Sequence, residues 1–296
     1  MNIINSHSVQ ENQQNIRLSN YAIGLFSQIG SRNSVKKAIK KGALLLNGEQ
    51  AETGRFVKKG DRIELVDNII NPPKIYNLKF EVIFEDDYLA LINKPPGVIV
   101  SGNQFKTIEN SLTGNLKKSG AEDALKRPSP VHRLDSMTSG LLVIAKTSKA
   151  HIYIGRQFQA GTIRKVYKAV VHGTPPESGT INEEIEGRHA STDYSVIKTV
   201  PSLKNKTISL LELLPHTGRT HQLRIHLAGI GHPIIGDTIY GTKGNVLLHK
   251  GLFLAAVGLS FKHPVSGEDM NFTINEPRKF RTFLEREQRR WNKYNA

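Results

Sequence analysis

From Phe80 onward the chain alternates short apolar runs with turn-forming residues. FEVIFED, LALINK, GLLVIAK, VYKAVVHG, DYSVIKTV and TISLLELL each combine β-branched or apolar residues with flanking turn formers. Runs of this length and make-up predict strands. Lys149–Gln159 has clear helical spacing, and a shorter apolar helical patch lies at Ile108–Leu116. Many strands with few helices predict an α+β domain: a mixed, mainly antiparallel sheet with helices packed beside it.

The first part of the chain is patterned differently. Residues 1–15 are polar and rich in Asn and Gln, and predict a flexible arm. Ala22, Leu25, Phe26 and Ile29 fall at helical spacing, and Ser31 and Ser34 can cap a second helix holding Val35, Ala38 and Ile39. GALLLNGEQ reads as a strand with a tight turn at Asn47-Gly48, and KKGDRIELV as a turn and another strand. Residues 16–67 are therefore expected to form a small α/β module. Pro72-Pro73 cannot continue a helix and marks residues 68–79 as a linker. The strand-rich domain is expected over residues 80–284, with a basic tail at 285–296. Within it, residues 102–129 are polar and rich in Gly, Ser and Lys.

Charge adds a partner to this outline. The chain has 296 residues, 38% of them hydrophobic, and a formal net charge of +15. The apolar share is enough to bury a core. The basic excess suggests a polyanionic partner, either nucleic acid or an anionic membrane surface. Lys36, Lys37, Lys40 and Lys41 recur at i, i+1, i+4 and i+5, which gathers them on one side of a helix. Such clusters ordinarily form a solvated face. In a basic module of a basic chain they read as phosphate contacts. Phe280, Phe283 and Leu284 offer only a thin apolar face to a membrane surface. The N-terminus lacks a signal-peptide pattern and no stretch approaches ~18 apolar residues, so a cytoplasmic protein is expected, with no membrane partner.

Several chemistries are excluded by residue type. There is no cysteine, hence no disulfide framework, no Cys-ligated zinc and no thiolate nucleophile. No G-x-x-x-x-G-K-[ST] loop occurs, and the nearest match to G-x-G-x-x-G, at Gly229-Ile-Gly231, lacks its third glycine. Three runs remain informative. In His132-Arg133-Leu134-Asp135-Ser136-Met137-Thr138-Ser139-Gly140, an Asp sits in a loop that runs into a buried strand. An Asp in a turn is ordinarily a cap; held at a rigid strand edge it can also be a nucleophile. Ser139 is not in a G-x-S-x-G elbow. In His216-Thr217-Gly218-Arg219-Thr220-His221-Gln222-Leu223-Arg224-Ile225-His226, three histidines are spaced by five. That spacing does not converge on one face of a helix or a strand, which argues against a metal. Arg219 and Arg224 suit a phosphate, a carboxylate, or one of each. In Arg164-Lys165-Val166-Tyr167-Lys168, Tyr167 points with Ala169 and Val171 to one face of a strand, as a core residue or as a platform for a base.

HRLDSMTSGLLVIAK and TGRTHQLRIHLAGIGHPIIGD resemble the two signature motifs of the RluA-type pseudouridine synthases. NKPPGVIV, RKVYKAVVHG, Ser191–Val196 and FKHPVSGE resemble further blocks in the same order, across residues 80–280. Residues 16–67 resemble the S-four-type RNA-binding domain that often precedes this catalytic domain. The resemblance implies a pseudouridine synthase fold and an isomerase that moves uracil from its N-glycosidic bond to a carbon bond in structured RNA, with base flipping. No cofactor and no metal are expected. It implies Asp135 as the carboxylate that attacks the anomeric carbon or removes a sugar proton. Arg224 becomes the buried partner that keeps Asp135 ionised, and Tyr167 the ring that stacks on the base. Arg133 would fill the space the base vacates, Leu223 or Ile225 would line the apolar pocket, and Arg219 would contact RNA backbone. His132, Thr138 and His221 complete the substrate-binding set. Large-subunit ribosomal RNA is the expected substrate, with tRNA as the alternative. A monomer is expected. A catalytically silent RNA-binding or assembly protein using the same surfaces is the rival; the set Asp135, Tyr167 and Arg224 speaks against it.

Overall fold

The computed structural model describes residues 2–10, 15–67, 75–242, 246–247 and 249–295. The chain divides into two units, residues 1–74 with 120–125, and residues 75–119 with 126–296. In the first unit, β1 (Asn2–Ser8), α1 (Leu18–Tyr21), α2 (Arg32–Lys40), β2 (Leu44–Leu46), β3 (Glu49–Gln50) and β4 (Arg62–Asp67) build a four-stranded sheet of order β1-β4-β2-β3. Asn47 and Gly48 both take positive φ, 55° and 82°, as a two-residue hairpin between β2 and β3 requires. Ser31 caps α2 in a capping box with Ser34.

Two expectations for this unit are corrected. The polar N-terminus is not a loose arm over residues 2–8: it pairs antiparallel with β4, from Asn2 opposite Asp67 to Ser8 opposite Arg62. Backbone hydrogen bonds hold an edge strand whatever its side chains, so polarity alone misleads there. The helix expected around Ala22–Ile29 does not form: the single helical turn α1 ends at Tyr21, and Gly24, with φ 77°, lies in the turns that follow. Ala22, Phe26 and Ile29 still reach the core. Pro72-Pro73 and most of the expected linker lie outside the described residues.

The second unit is one large sheet. Its strands are β5 (Glu81–Glu85), β6 (Leu89–Lys94), β7 (Ala124–Pro130, from Lys126 on in this unit), β8 (Ser139–Thr147), β9 (Arg164–His172), β10 (Ser178–Ile181), β11 (Thr192–Ser202), β12 (Lys206–Pro215), β13 (Leu254–Lys262) and β14 (Asp269–Thr273). The main order is β10-β11-β12-β9-β13-β8-β6-β5, with β14 on β13 and β7 on β8. Along the main order neighbours run antiparallel except for β13 and β8, which join in parallel at Ala255–Ser139 and Ala256–Gly140. The helices are α3 (Ile108–Ser111), α4 (Ser148–Ala160), α5 (Gln222–Gly229) and α6 (Arg278–Tyr294). β8 is buried along its whole length. Leu141 and Val143 pack with Ile154 of α4, while Leu142 and Ile144 pack with Ile108 and Leu112. Cover on both faces explains its unbroken apolar run.

The basic tail expected over 285–296 is also corrected. α6 runs unbroken to Tyr294. Phe280 and Phe283 pack on Phe253, with ring centroids 5.3 and 5.1 Å apart. Glu287 continues the same helix face, at i+7 from Phe280, and is buried. It accepts a hydrogen bond from Ser202 Oγ at 2.7 Å. The three apolar residues that looked too few to anchor on a membrane are core residues. Among the described residues no helix is long and apolar enough to cross a membrane.

Candidate active site

Asp135 lies in the loop that enters β8, and that loop is fixed from several sides. Lys94, at the end of β6, is fully buried, and its ammonium donates to the carbonyls of Pro95, Ser136 and Thr138, each at 2.9 Å. Burial lowers the Lys94 pKa to about 8, against the nearby charge of Asp135, which raises it. The Ser136 carbonyl also accepts the Gly97 N–H at 2.7 Å. Gly140 closes the loop with φ 114°, and a Cβ there would collide with the Ala256 carbonyl oxygen. The glycine is what lets β13 come alongside β8 just below Asp135.

Arg224 and His221 approach the same carboxylate oxygen. Arg224 Nη1 is 3.5 Å and His221 Nε2 is 3.7 Å from Asp135 Oδ2. Both stand at the start of α5, the element formed by the T-H-Q-L-R run. His221 is its N-cap residue, with φ 56°. Gln222 ties this start to β11: its Nε2 donates to the Ser191 carbonyl and to Thr192 Oγ1, at 2.9 and 3.0 Å. Arg224 is nearer to a second carboxylate. Its Nε and Nη2 donate to Asp237 Oδ2 and Oδ1 at 2.7 and 2.8 Å. Burial lowers the Arg224 pKa, but the hydrogen bonds and charge of Asp237, with a contribution from Asp135, outweigh it and raise it. Burial likewise pushes the Asp237 carboxyl up. Hydrogen bonds from Arg224 and from the Tyr240 and Ile239 N–H groups prevail and hold it below its usual value.

The sheet supplies the floor. Tyr167 on β9, paired with Leu213 of β12 and Ala256 of β13, lines a cavity of about 300 Å³ together with Lys165, Leu254, Asp135, Arg224 and His221. That is the low end of the roughly 300–1,000 Å³ typical of ligand pockets, room for a single nucleoside. Burial, helped by the charge of Asp135, raises the Tyr167 pKa and keeps the phenol protonated. His132 stacks on Phe158 of α4 at 4.4 Å, and its Nε2 accepts the Val143 N–H at 3.0 Å. Burial and the charge of Lys165 lower its pKa to about 3, so the ring is a neutral part of the wall.

The cavity brings together most of the residues expected from sequence: Arg133, Asp135, Thr138, Arg219 and Leu223 line it with those already named. Thr138 Oγ1 is buried and makes no hydrogen bond among the described residues. Arg219 donates through Nε to the His189 carbonyl at 3.0 Å. Ile225 is not among the lining residues; Leu223 is. The three histidines part company: His216 meets Asp193, His226 meets Thr192 and the Glu183 carbonyl, and His221 alone turns to Asp135. Lys36, Lys37, Lys40 and Lys41 belong to the other unit, where Lys36 and Lys40 border a shallow depression with Gln50 and Thr53.

A mainly antiparallel sheet carrying this loop, tyrosine and arginine in one cavity has known counterparts. The pattern that defines the RNA pseudouridylate synthases matches residues 88–229. An RNA pseudouridine synthase of Aquifex aeolicus is 36% identical over 282 residues, covering 85% of this chain and 88% of the relative. The chain belongs to the RNA pseudouridine synthase family. Ribosomal large subunit pseudouridine synthase D of Vibrio cholerae is 31% identical, covering 92% of this chain and 91% of that one. The solved structure of human RNA pseudouridylate synthase domain containing 4 is 25% identical, with a TM-score of 0.56 over 70% of this chain and 92% of its own. The synthase is thus an isomerase. Behind its cavity, outside the lining itself, stand two residues that sequence reasoning passed over. Asp237 closes the HPIIGD end of the second signature and Lys94 stands in NKPPG, so both lay in quoted motifs. Their roles depend on contacts across the fold, which spacing along the chain does not reveal.

Proposed function

We propose that this synthase converts uridine to pseudouridine in large-subunit ribosomal RNA, with Asp135 as the reacting carboxylate. The observation that carries the reading is the asymmetry of that carboxylate. Arg224 and His221 both make their near approach at Oδ2, at 3.5 and 3.7 Å. One oxygen faces both side chains, and the other is left for the sugar. The N1–C1′ bond breaks, the uracil turns, and C5 bonds to C1′; the proton lost from C5 is balanced by the one gained at N1. Asp135 either attacks C1′ or takes a sugar proton to begin this. Tyr167, protonated, serves as a stacking face and an O–H donor. Thr138 Oγ1, buried and unpaired, has a donor and an acceptor left for the uracil. A nucleotide reaches such a cavity by leaving its helix, and Arg133 at the exposed rim fits the space left behind.

The ribosomal assignment is supported by relatives named ribosomal large subunit pseudouridine synthase D in Vibrio cholerae and Zymomonas mobilis. The basic first unit acts, on this reading, as an S-four-type module that holds RNA phosphates through Lys36, Lys37, Lys40 and Lys41. The protein works as a cytoplasmic monomer. Mapping pseudouridine in total RNA from cells with and without the gene tests the proposal. Loss of one or a few sites in large-subunit ribosomal RNA is expected; loss confined to tRNA would overturn the substrate, and no loss anywhere would leave a binding protein.

A further inference from the structure

The turn Gly236–Gly241 reaches Asp135 by two separate routes. On the first, Asp237 occupies the Nε/Nη2 edge of Arg224 in a two-bond fork, which leaves Nη1 to face Asp135. Asp237 is itself 1% exposed and fixed by the N–H groups of Ile239 and Tyr240, at 2.9 and 3.0 Å. On the second, the Tyr240 hydroxyl is 3.0 Å from His221 Nδ1, while His221 Nε2 faces Asp135 Oδ2. The direction of this second bond follows from charge. A carboxylate beside Nε2 favours an N–H there, so Nδ1 is the acceptor and Tyr240 the donor. The opposite tautomer would set a nitrogen lone pair against the carboxylate. The turn is itself rigidly seated: Gly236 has φ 78°, and a Cβ there would strike the Gly251 carbonyl. The Tyr240 ring also lies under the Arg224 guanidinium, 5.1 Å from its centroid, which joins the two routes.

We propose that Asp237 and Tyr240 are positioning residues for the Asp135 carboxylate, Asp237 acting through Arg224 and Tyr240 by fixing the tautomer of His221. The proposal rests on the reading of Asp135 given above. Neither residue reaches the reacting atoms. Together they orient Arg224 and His221 toward Oδ2. A carboxylate misplaced by an ångström loses about 10²-fold in rate, so both residues act on the chemical step and not on RNA binding.

The test uses the full-length protein and large-subunit ribosomal RNA extracted from cells lacking the gene. Tyr240→Phe removes one hydroxyl and keeps the ring over Arg224. Its single-turnover rate at saturating RNA is expected to fall about 10- to 100-fold, with RNA affinity and thermal midpoint unchanged. His221→Gln combined with Tyr240→Phe is expected to be no slower than His221→Gln alone, because the hydroxyl acts through the imidazole. Nitrogen-15 shifts of His221 are expected to report Nε2–H in the wild type and a tautomer mixture in Tyr240→Phe. Asp237→Asn is expected to lower the same rate without weakening RNA binding. Additive losses in the double variant, or an unchanged His221 spectrum, would overturn the tautomer route. A wild-type rate in folded Asp237→Asn would overturn the arginine route. Asp135→Asn is the separate control: turnover by that variant would remove the reading beneath the proposal, whereas its inactivity beside a fully active Tyr240→Phe would remove only the tautomer route.

Discussion

Arg224 divides its guanidinium unequally between two aspartates, giving two hydrogen bonds of 2.7 and 2.8 Å to Asp237 and a single 3.5 Å contact to Asp135. The planar fork makes the division possible; a lysine ammonium has no edge to give one carboxylate and corner to give the other. Arg224→Lys is therefore expected to slow the single-turnover rate severely. Arg224→Met leaves Asp237 buried without its cation, and breaking a buried pair in this way costs about 3–5 kcal/mol. Urea unfolding of the two variants checks the order: both destabilised, Met more than Lys.

Asp135→Asn keeps the shape of the carboxylate and removes its charge. A rate loss of at least ~10³-fold is expected, a typical scale for removing one member of a catalytic unit. Affinity for RNA should change little, because phosphate contacts supply most of it. Rate and filter-binding measurements on one preparation, with deamidation excluded by mass spectrometry, separate the two effects.

His132 makes stability depend on acid. An unfolded histidine titrates near 6.5, whereas in the fold burial and the charge of Lys165 lower His132 to about 3. Between those values the unfolded chain binds a proton that the folded chain does not. Its contribution to stability is therefore present above pH 6.5 and is lost as pH falls toward 3. Denaturant titrations from pH 7 to 4 are expected to show this decline, and His132→Gln, which does not titrate, is expected to flatten it.

The exposed cations should read out as salt dependence. Replacing Lys36 and Lys40 together by Gln is expected to lower the slope of log affinity against log salt by about two, and Arg219→Gln by about one. The chemical step on bound RNA should survive the lysine changes. Unaltered slopes would leave those lysines as a solvated face.

Much of this fold was readable because local rules and tertiary needs agreed. Asn47-Gly48 announced a hairpin, and the doubly covered β8 wrote itself as GLLVIAK. Where one strand is held mainly by backbone pairing, as in residues 2–8, side-chain pattern carried no signal. α6 shows the opposite case. Phe280, Phe283 and Leu284 were legible as a thin apolar face, but Glu287 looks like part of a solvated tail until Ser202 is seen to hydrogen-bond to it. At the cavity, Asp135, Tyr167 and Arg224 could be named from motif, and the structure brings them to one pocket. Asp237 and Tyr240 could not, because nothing along the chain says that they meet Arg224 and His221.

The order β9-β13-β8 also sets a timetable. β8 and β9 follow one another in the chain, separated only by α4, yet they do not pair. The strand that lies between them, β13, begins at Leu254. As the nascent chain emerges, the loop bearing Asp135 and the strand bearing Tyr167 are made early and stay on two unjoined half-sheets. They become one surface when β13 enters the gap. At about 5–20 residues per second, close to a hundred residues must follow Tyr167 before a competent catalyst can exist. By this wiring the surface that carries both Asp135 and Tyr167 is completed only after β13 has been made.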